Sequence, residues 1–420
     1  MKKGTVAIIF LMLTGFVFGQ NSGSITLMQC DSLALINYPL AKQQDLLVKS
    51  KEYTLENASK GYLPQFNIIG QATYQSDVLS IPITIPGLTI ETPAKDQYKI
   101  YGEIIQPLTD LYTVGQQKQL YASNSDIQQQ SLQVDLYKLK DRVHQLYFGI
   151  LLVDQQLSQA DIKEKDINSG IEKINAAITN GTAYKSSADV LKAELLSTDQ
   201  HIIELKATRK AFADMLGFFV NQNIDEHTIL EKPNVVTVTP KINRPELIMF
   251  DYQRRSFAIQ NRLLTAKTLP KFNLFFQAGI GRPGFNPFSN DFAPYYIGGL
   301  RLSWSLSNYY TLKRERKLLG INESMIDIQR ETFLFNTNLQ LKQQQTEVQR
   351  LEEMLVVDEK IVALRQNIKN TASAQLENGV ISSNDYLREV NAEDISRQNQ
   401  LLHSVQLLIA EYNYQNTSGN

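Results

Sequence analysis

The sequence predicts a mainly α-helical, internally duplicated protein with a membrane β-barrel portion, four strands per chain. Three observations carry that expectation. A segment near the start is written again later in the chain, each copy is followed by strictly alternating apolar and polar residues, and each alternating stretch gives way to a long run of apolar residues spaced by fours and threes.

The first element is an address. Lys2 and Lys3 precede an apolar run from Thr5 to Phe18, with small Gly19 before Gln20. That order is a secretory signal peptide over 1–19, and the run is shorter than the roughly 20 residues of a spanning helix. Cys30 reads as a helix-start cysteine, because Gln29 is not the small residue that lipid attachment needs.

The first structural repeat runs from 20 to 216. Its segment "NYPLAKQQDLLVKSKEYTLENASKGYLPQFN" returns at a constant offset as "NRPELIMFDYQRRSFAIQNRLLTAKTLPKFN". Asn37, Pro39, Leu63, Pro64, Phe66 and Asn67 answer to Asn243, Pro245, Leu269, Pro270, Phe272 and Asn273. An ungapped repeat of this length means one supersecondary unit built twice. The segment predicts an opening helix at 39–62 and again at 245–268, each about 36 Å long at 1.5 Å per residue. Pro245 in a first turn supports the second start.

Next comes a β-hairpin at 65–106. Phe66, Ile68, Gly70, Ala72 and Tyr74 alternate with Asn67, Ile69, Gln71, Thr73 and Gln75. The second copy does the same with Phe272, Leu274, Phe276, Ala278 and Ile280 in a hairpin at 271–305. Period-two alternation over about ten residues marks strands with two different faces, and lipid is the expected cover for the apolar one. Loops containing proline and return strands at 98–105 and 296–304 complete the hairpins.

The period then changes from 2 to 3.5. Leu132, Leu136, Leu139, Val143, Leu146, Ile150, Val153, Leu157 and Ala160 keep the 4,3 phase, which resumes at Ile167, Ile171, Ile174 and Ile178. This predicts a coiled-coil seam along one uninterrupted helix, 111–180. Asn180-Gly181 stops it, Ser186 or Ser187 is expected to cap the next helix, and a return helix at 186–216 carries Leu191, Leu195, Ile202, Leu205, Phe212 and Leu216.

The stretch 217–242 breaks the helical period and includes a strand-like "VVTV" at 235–238, so it predicts a belt-like connecting segment. The second repeat, 243–416, follows with a long helix at 308–378, a stop at Asn378-Gly379 and a return helix at 383–416. Thr113 to Asn180 and Thr311 to Asn378 are equally far apart, and each span is about 100 Å of helix. An opening and a return helix laid end to end nearly match one long helix.

Four strands cannot close a barrel, and open edges are not tolerated in lipid. The chain must therefore oligomerise, to eight strands with two copies or twelve with three.

The residues resemble the TolC-like outer membrane efflux proteins over nearly the whole chain after the signal peptide. The resemblance rests on the doubled "LP.FN" after a helix, the doubled long helix, and the tip turns in which Asn-Gly is followed by Asp-[Val/Tyr]-Leu. It implies a homotrimer with a shared 12-stranded β-barrel in the outer membrane above a periplasmic α-barrel. In that arrangement the chain is the exit duct of a tripartite efflux or type I secretion system, partnered by a periplasmic adaptor and an inner-membrane pump. It also implies that Asn180, Gly181, Asn378 and Gly379 form adaptor-docking tip turns, with Asp189 and Asp385 at a constriction. Some members of the family place an acid where this chain has Arg388, and a basic residue where it has Ile381, so an acidic ring is not expected. Apart from the resemblance, Asp189 and Asp385 read as acids in the first turn of a helix.

Other classes fit less well. A near-neutral net charge of −1 excludes the basic excess of a nucleic-acid binder. One cysteine excludes a disulfide framework. The four histidines, His144, His201, His227 and His403, form no metal or catalytic spacing. "GIGRPG" at 279–284 matches a dinucleotide loop by letters alone, since Pro283 and the lack of a following helix start spoil it. No enzyme and no cofactor are expected. An exported coiled-coil fibre or adhesin is the alternative, but a fibre has no need of a duplicated lipid-type hairpin.

Overall fold

The computed structural model describes residues 24–79, 92–234 and 241–420. The signal segment 1–19, the centre of the first hairpin loop and the "VVTV" stretch lie outside them. In chain order the elements are α1 (Leu27–Asn37), a 3-10 turn (Pro39–Lys42), α2 (Gln43–Ser59), a 3-10 turn (Lys60–Tyr62), β1 (Gln65–Tyr74), β2 (Asp96–Pro107), α3 (Asp110–Tyr137) and α4 (Leu139–Thr179). Then follow α5 (Lys185–Val220), α6 (Pro245–Ala266), β3 (Lys271–Arg282), β4 (Ala293–Ser303), α7 (Asn308–Glu377) and α8 (Ser383–Ser418). The order helix, hairpin, long helical stretch and return helix occurs in both halves of the chain.

The described residues form two compact units. One is wholly helical apart from a single bridge and gathers 24–38, 139–234 and 343–416. The other carries the sheet and gathers 39–79, 92–138, 241–342 and 417–420.

The core of the helical unit is the seam. Val143, Ile150 and Ile167 are fully buried, Leu139, Val153, Ala160 and Ile174 nearly so, and Leu146, Leu157, Ile171 and Ile178 pack against them. Leu191, Leu205 and Leu216 of α5 meet that seam. Each such side chain taken out of water contributes about 1.5–3 kcal/mol, so a stripe this long explains why α4 and α5 pair along their lengths. α1 closes one end: Thr26 accepts from the Gln29 amide while the Gln29 side chain accepts from the Thr26 amide, a capping box. Cys30 on α1 is 0% exposed, and burial, then the neighbouring Asp31, pushes its thiol up to about 12. It is a core residue. Nearby, Ile25 and Leu230 form the single parallel bridge, and the Tyr147 hydroxyl reaches Ile25 O at 2.9 Å and Glu231 O at 2.6 Å.

Three expectations need correction. The first long helix is not uninterrupted: it breaks at Lys138 between α3 and α4. Lys138 keeps helical angles (φ −64°, ψ −17°) but turns its amide to Leu136 O. No proline or glycine marks the spot, and the break falls where the chain passes from one unit to the other. Neither Ser186 nor Ser187 caps α5. That helix starts one residue earlier, behind Tyr184, which makes no side-chain cap. Asp189 consequently lies beyond the first turn, which holds no acid.

Candidate functional site

The sheet has the strand order β1-β2-β3-β4, antiparallel throughout, so the two hairpins are joined through β2 and β3. The registers fix its faces. Phe66, Ile68, Gly70, Ala72 and Tyr74 lie beside Ile104, Gly102, Ile100 and Tyr98, then Phe276, Ala278 and Ile280, then Gly298 and Tyr296. Phe272 and Leu274 pair with Leu302 and Leu300. That face is apolar across its middle, with Asp96 beside Tyr74 and Arg282 beside Tyr98 at one end and Gln106 beside Leu274 at the other, and it is open: Phe66 is 74% and Ile68 86% exposed. Aromatic residues lie at both ends of it, Tyr74, Tyr98 and Tyr296 at one and Phe272 and Trp304 at the other.

The opposite face is largely polar and internally bonded. Gln277 donates to Glu103 at 2.7 Å, Arg301 approaches the same carboxylate at 3.6 Å, and the Arg301 guanidinium lies 4.5 Å from the Phe275 ring centroid. Strands of 10 to 12 residues suit the length needed to cross a bilayer. β1 and β4 are edges with no partner among the described residues. At the junction of the hairpins, a β-carbon on Gly279 would stand 2.2 Å from Ile100 O and 2.4 Å from Tyr101 Cβ. β3 can approach β2 there only as glycine.

The helical tip belongs to the other unit. α4 ends with Gly181 at φ +73°. The Gly181 amide bonds to Ile178 O at 3.0 Å and the Thr182 amide to Ala177 O at 2.9 Å. α7 ends the same way: Gly379 has φ +70°, with Gly379 N to Leu376 O at 3.1 Å and Val380 N to Gln375 O at 2.8 Å. Both are Schellman caps, and the left-handed residue is the glycine that the Asn-Gly pairs announce. Asn378 also donates its side-chain amide to Ala374 O at 2.8 Å.

Asp385 is the first-turn acid of α8. The Asp385 amide donates to Ser382 Oγ at 3.2 Å, while the Ser382 amide and hydroxyl donate back to the Asp385 carboxylate at 3.2 and 2.7 Å. This capping box holds the carboxyl below its usual range, chiefly through the Ser382 hydroxyl and with help from Arg388. Arg388 itself points at Glu389 (3.1 Å), which also faces Arg365 (3.6 Å). The exposed Asp189 takes no part in this arrangement. Ile381 packs against the apolar cluster of the tip instead of offering a charge.

A depressed carboxylate stabilises its turn at pH values above the pKa it has in the unfolded chain. That contribution is lost as pH falls through the folded value. Acidification should therefore lower the protection of the amides at 382–387, measured against their intrinsic exchange rate at the same pH, and D385N should show low protection there at neutral pH with little further change. Protection in D385N that still falls on acidification as in the wild type would contradict the assignment.

Behind the tip the two repeats lock together through contacts that no local pattern announces. Tyr386 of α8 donates to Asp166 O of α4 at 2.9 Å, and burial, then Asp166, pushes its hydroxyl up to about 12. Gly170 makes the room, since a β-carbon there would stand 2.7 Å from the Tyr386 ring. Lys369 of α7 bonds Asp166 at 2.6 Å and faces Glu393 at 3.7 Å, and Glu393, 1% exposed, also holds Arg397. Lys163 joins Glu194 at 2.9 Å and Asp394 at 3.7 Å, and Gln159 donates to Asp394 at 3.1 Å. Buried charges are tolerated because each is paired.

This pair of features, a two-faced sheet with open edges and a set of antiparallel helices ending in matched turns, is the fold of outer-membrane channels. The chain is similar to the outer-membrane channel OprN, with 13% identity and a TM-score of 0.69, covering 94% of this chain and 89% of that one. It is equally similar to CusC, whose structures concern folding and transmembrane channel formation (13% identity, TM-score 0.69, 93% and 91%). It is also similar to the Neisseria gonorrhoeae MtrE outer membrane channel in its open state (12% identity, TM-score 0.68, 94% and 89%). No protein-family model and no curated protein matches the chain. At these identities the likeness establishes the fold, and that fold is the one the TolC-like resemblance implies.

Proposed function

We propose that the protein is the outer-membrane exit duct of a tripartite efflux or type I secretion system, passing substrates from the periplasm or a pump to the exterior. The observation that carries this reading is the sheet: one face apolar across its middle and open, the other largely polar, with neither edge paired among the described residues. Backbone groups along an open edge cannot be left in hydrocarbon, so the edges must pair with other copies. A homotrimer gives twelve strands, which fits the fold likeness, with β4 of one copy meeting β1 of the next. The helical unit supplies the periplasmic tunnel. Its turns at Asn180–Gly181 and Asn378–Gly379 offer the surface for a periplasmic adaptor, which links the duct to an inner-membrane pump. Closure at the tunnel mouth uses contacts other than an acidic ring, because Arg388 is engaged with Glu389 and Ile381 is packed inward. The role is conduction, with no catalysis and no nucleic-acid partner.

The decisive measurement is the mass of the purified protein in detergent, after recovery from the outer-membrane fraction. A trimer is expected. A stable monomer or dimer would overturn the architecture, and recovery in a soluble fraction would favour an exported fibre.

A further inference from the structure

We propose that the basic collar where α6 ends and α7 begins binds the anionic headgroups of glycerophospholipids in the leaflet facing the periplasm. The inference rests on reading the sheet as membrane-spanning, and all of its residues lie in the sheet-bearing unit. β4 ends at Ser303 and α7 starts at Asn308, so the turn between them is where the apolar face stops. Trp304, the single tryptophan, is half exposed there and donates its ring N–H to Thr268 O at 3.0 Å. The Tyr309 hydroxyl reaches the same carbonyl at 3.3 Å, and Tyr310 is 82% exposed. Aromatic rings with a bonded polar end and an exposed body are characteristic of the membrane–water boundary.

Just past these rings α7 reads "LKRERKLLG", with Lys313, Arg314, Arg316 and Lys317 against the single acid Glu315. Asn308 donates to Lys267 O at 2.7 Å and Arg316 to Thr265 Oγ1 at 2.9 Å, which brings Lys267 to the same place. Tyr309, Lys313, Arg316 and Lys317 line an open cleft of about 390 Å³. Among the described residues none of these basic groups is paired with a carboxylate. The four cations lie in the second and third turns of α7, beyond the first turn where a charge interacts with the helix macrodipole, so helix-end electrostatics does not account for them. Unneutralised positive charge beside an aromatic rim, at the margin of a lipid-type face, complements a phosphate whose acyl chains lie along that face.

The test uses the purified full-length oligomer reconstituted in bilayers of phosphatidylethanolamine and phosphatidylglycerol, with retained lipids counted by native mass spectrometry. The wild type should be enriched in phosphatidylglycerol. K313Q/R316Q/K317Q should insert normally and lose roughly 100-fold of that preference, at about 5-fold per basic side chain. The single variants K313Q and K317Q, each losing about 5-fold, carry the test if the triple variant does not assemble. Equal retention of the two lipids by the wild type would overturn the proposal, as would an unchanged preference in the variants. Added inorganic phosphate should displace no more lipid than chloride of the same ionic strength. Displacement beyond that would mark a free-anion site and also overturn it. A protein that enters no bilayer would sink the membrane reading itself, an outcome distinct from insertion without headgroup preference.

Discussion

F276R should abolish assembly of the oligomer in the outer membrane, while Q277R, one residue away, should leave it intact. Phe276 lies on the open apolar face, opposite Ile104 on one side and Gly298 on the other, with its ring stacked on Tyr296 (centroids 6.3 Å apart, planes 27°). Arginine near the middle of the lipid face of a barrel costs about 2–4 kcal/mol. In the proposed trimer three copies would bring that to roughly 6–12 kcal/mol, comparable with the whole stability of an ordinary domain. Gln277 points the other way and is bonded to Glu103. An arginine there would meet a carboxylate that already has Arg301 within 3.6 Å, so the new cation would find a partner instead of hydrocarbon. Heat-modifiable oligomer on a gel reads out both variants. Equal tolerance of the two would mean that the apolar face does not meet lipid.

G181V/G379V should leave the oligomer inserted and yet stop export. Both glycines have left-handed φ, +73° and +70°, and a β-carbon at either would touch nothing within 4 Å. The damage is therefore confined to the backbone. A β-branched residue is strained in that region by at least the roughly 1–2 kcal/mol that any L side chain meets there, and the turn must move to relieve it. The caps at Ile178, Ala177, Leu376 and Gln375 would be lost with it. Behind the turns the cluster of Ile167, Leu191, Tyr386 and Val390 remains. Cellular efflux together with crosslinking to the adaptor would decide the matter. Normal transport would tell against docking at the turns, and failure to assemble would assign the glycines to folding.

The sequence displayed whatever is periodic or punctuated. The seam positions are buried because a 3.5-residue period reports burial directly, and the two faces of β1 and β3 follow from alternation. Asn180-Gly181 and Asn378-Gly379 were legible because left-handed caps require a particular residue. The break at Lys138 was hidden, since nothing in "LYKLK" forbids a helix to continue and the change comes from packing. The start of α5 at Lys185 is obscured for a related reason: two good capping serines stand just inside a helix whose first residue is set by the turn before it. The lock between repeats was out of reach. Asp166 meets Lys369, and Gly170 meets Tyr386, across some two hundred residues, and no local pattern announces such partners.

Gly279 shows how far the two halves have drifted apart. Its counterpart in the first repeat is Thr73, on the edge strand β1. A ring made of six identical first repeats would place that threonine against the backbone of β2 at Ile100 and Tyr101, where only a hydrogen atom fits. The inner strand has become a specialist for its own chain. The duplication is thus a one-way step: the first half can no longer stand in for the second.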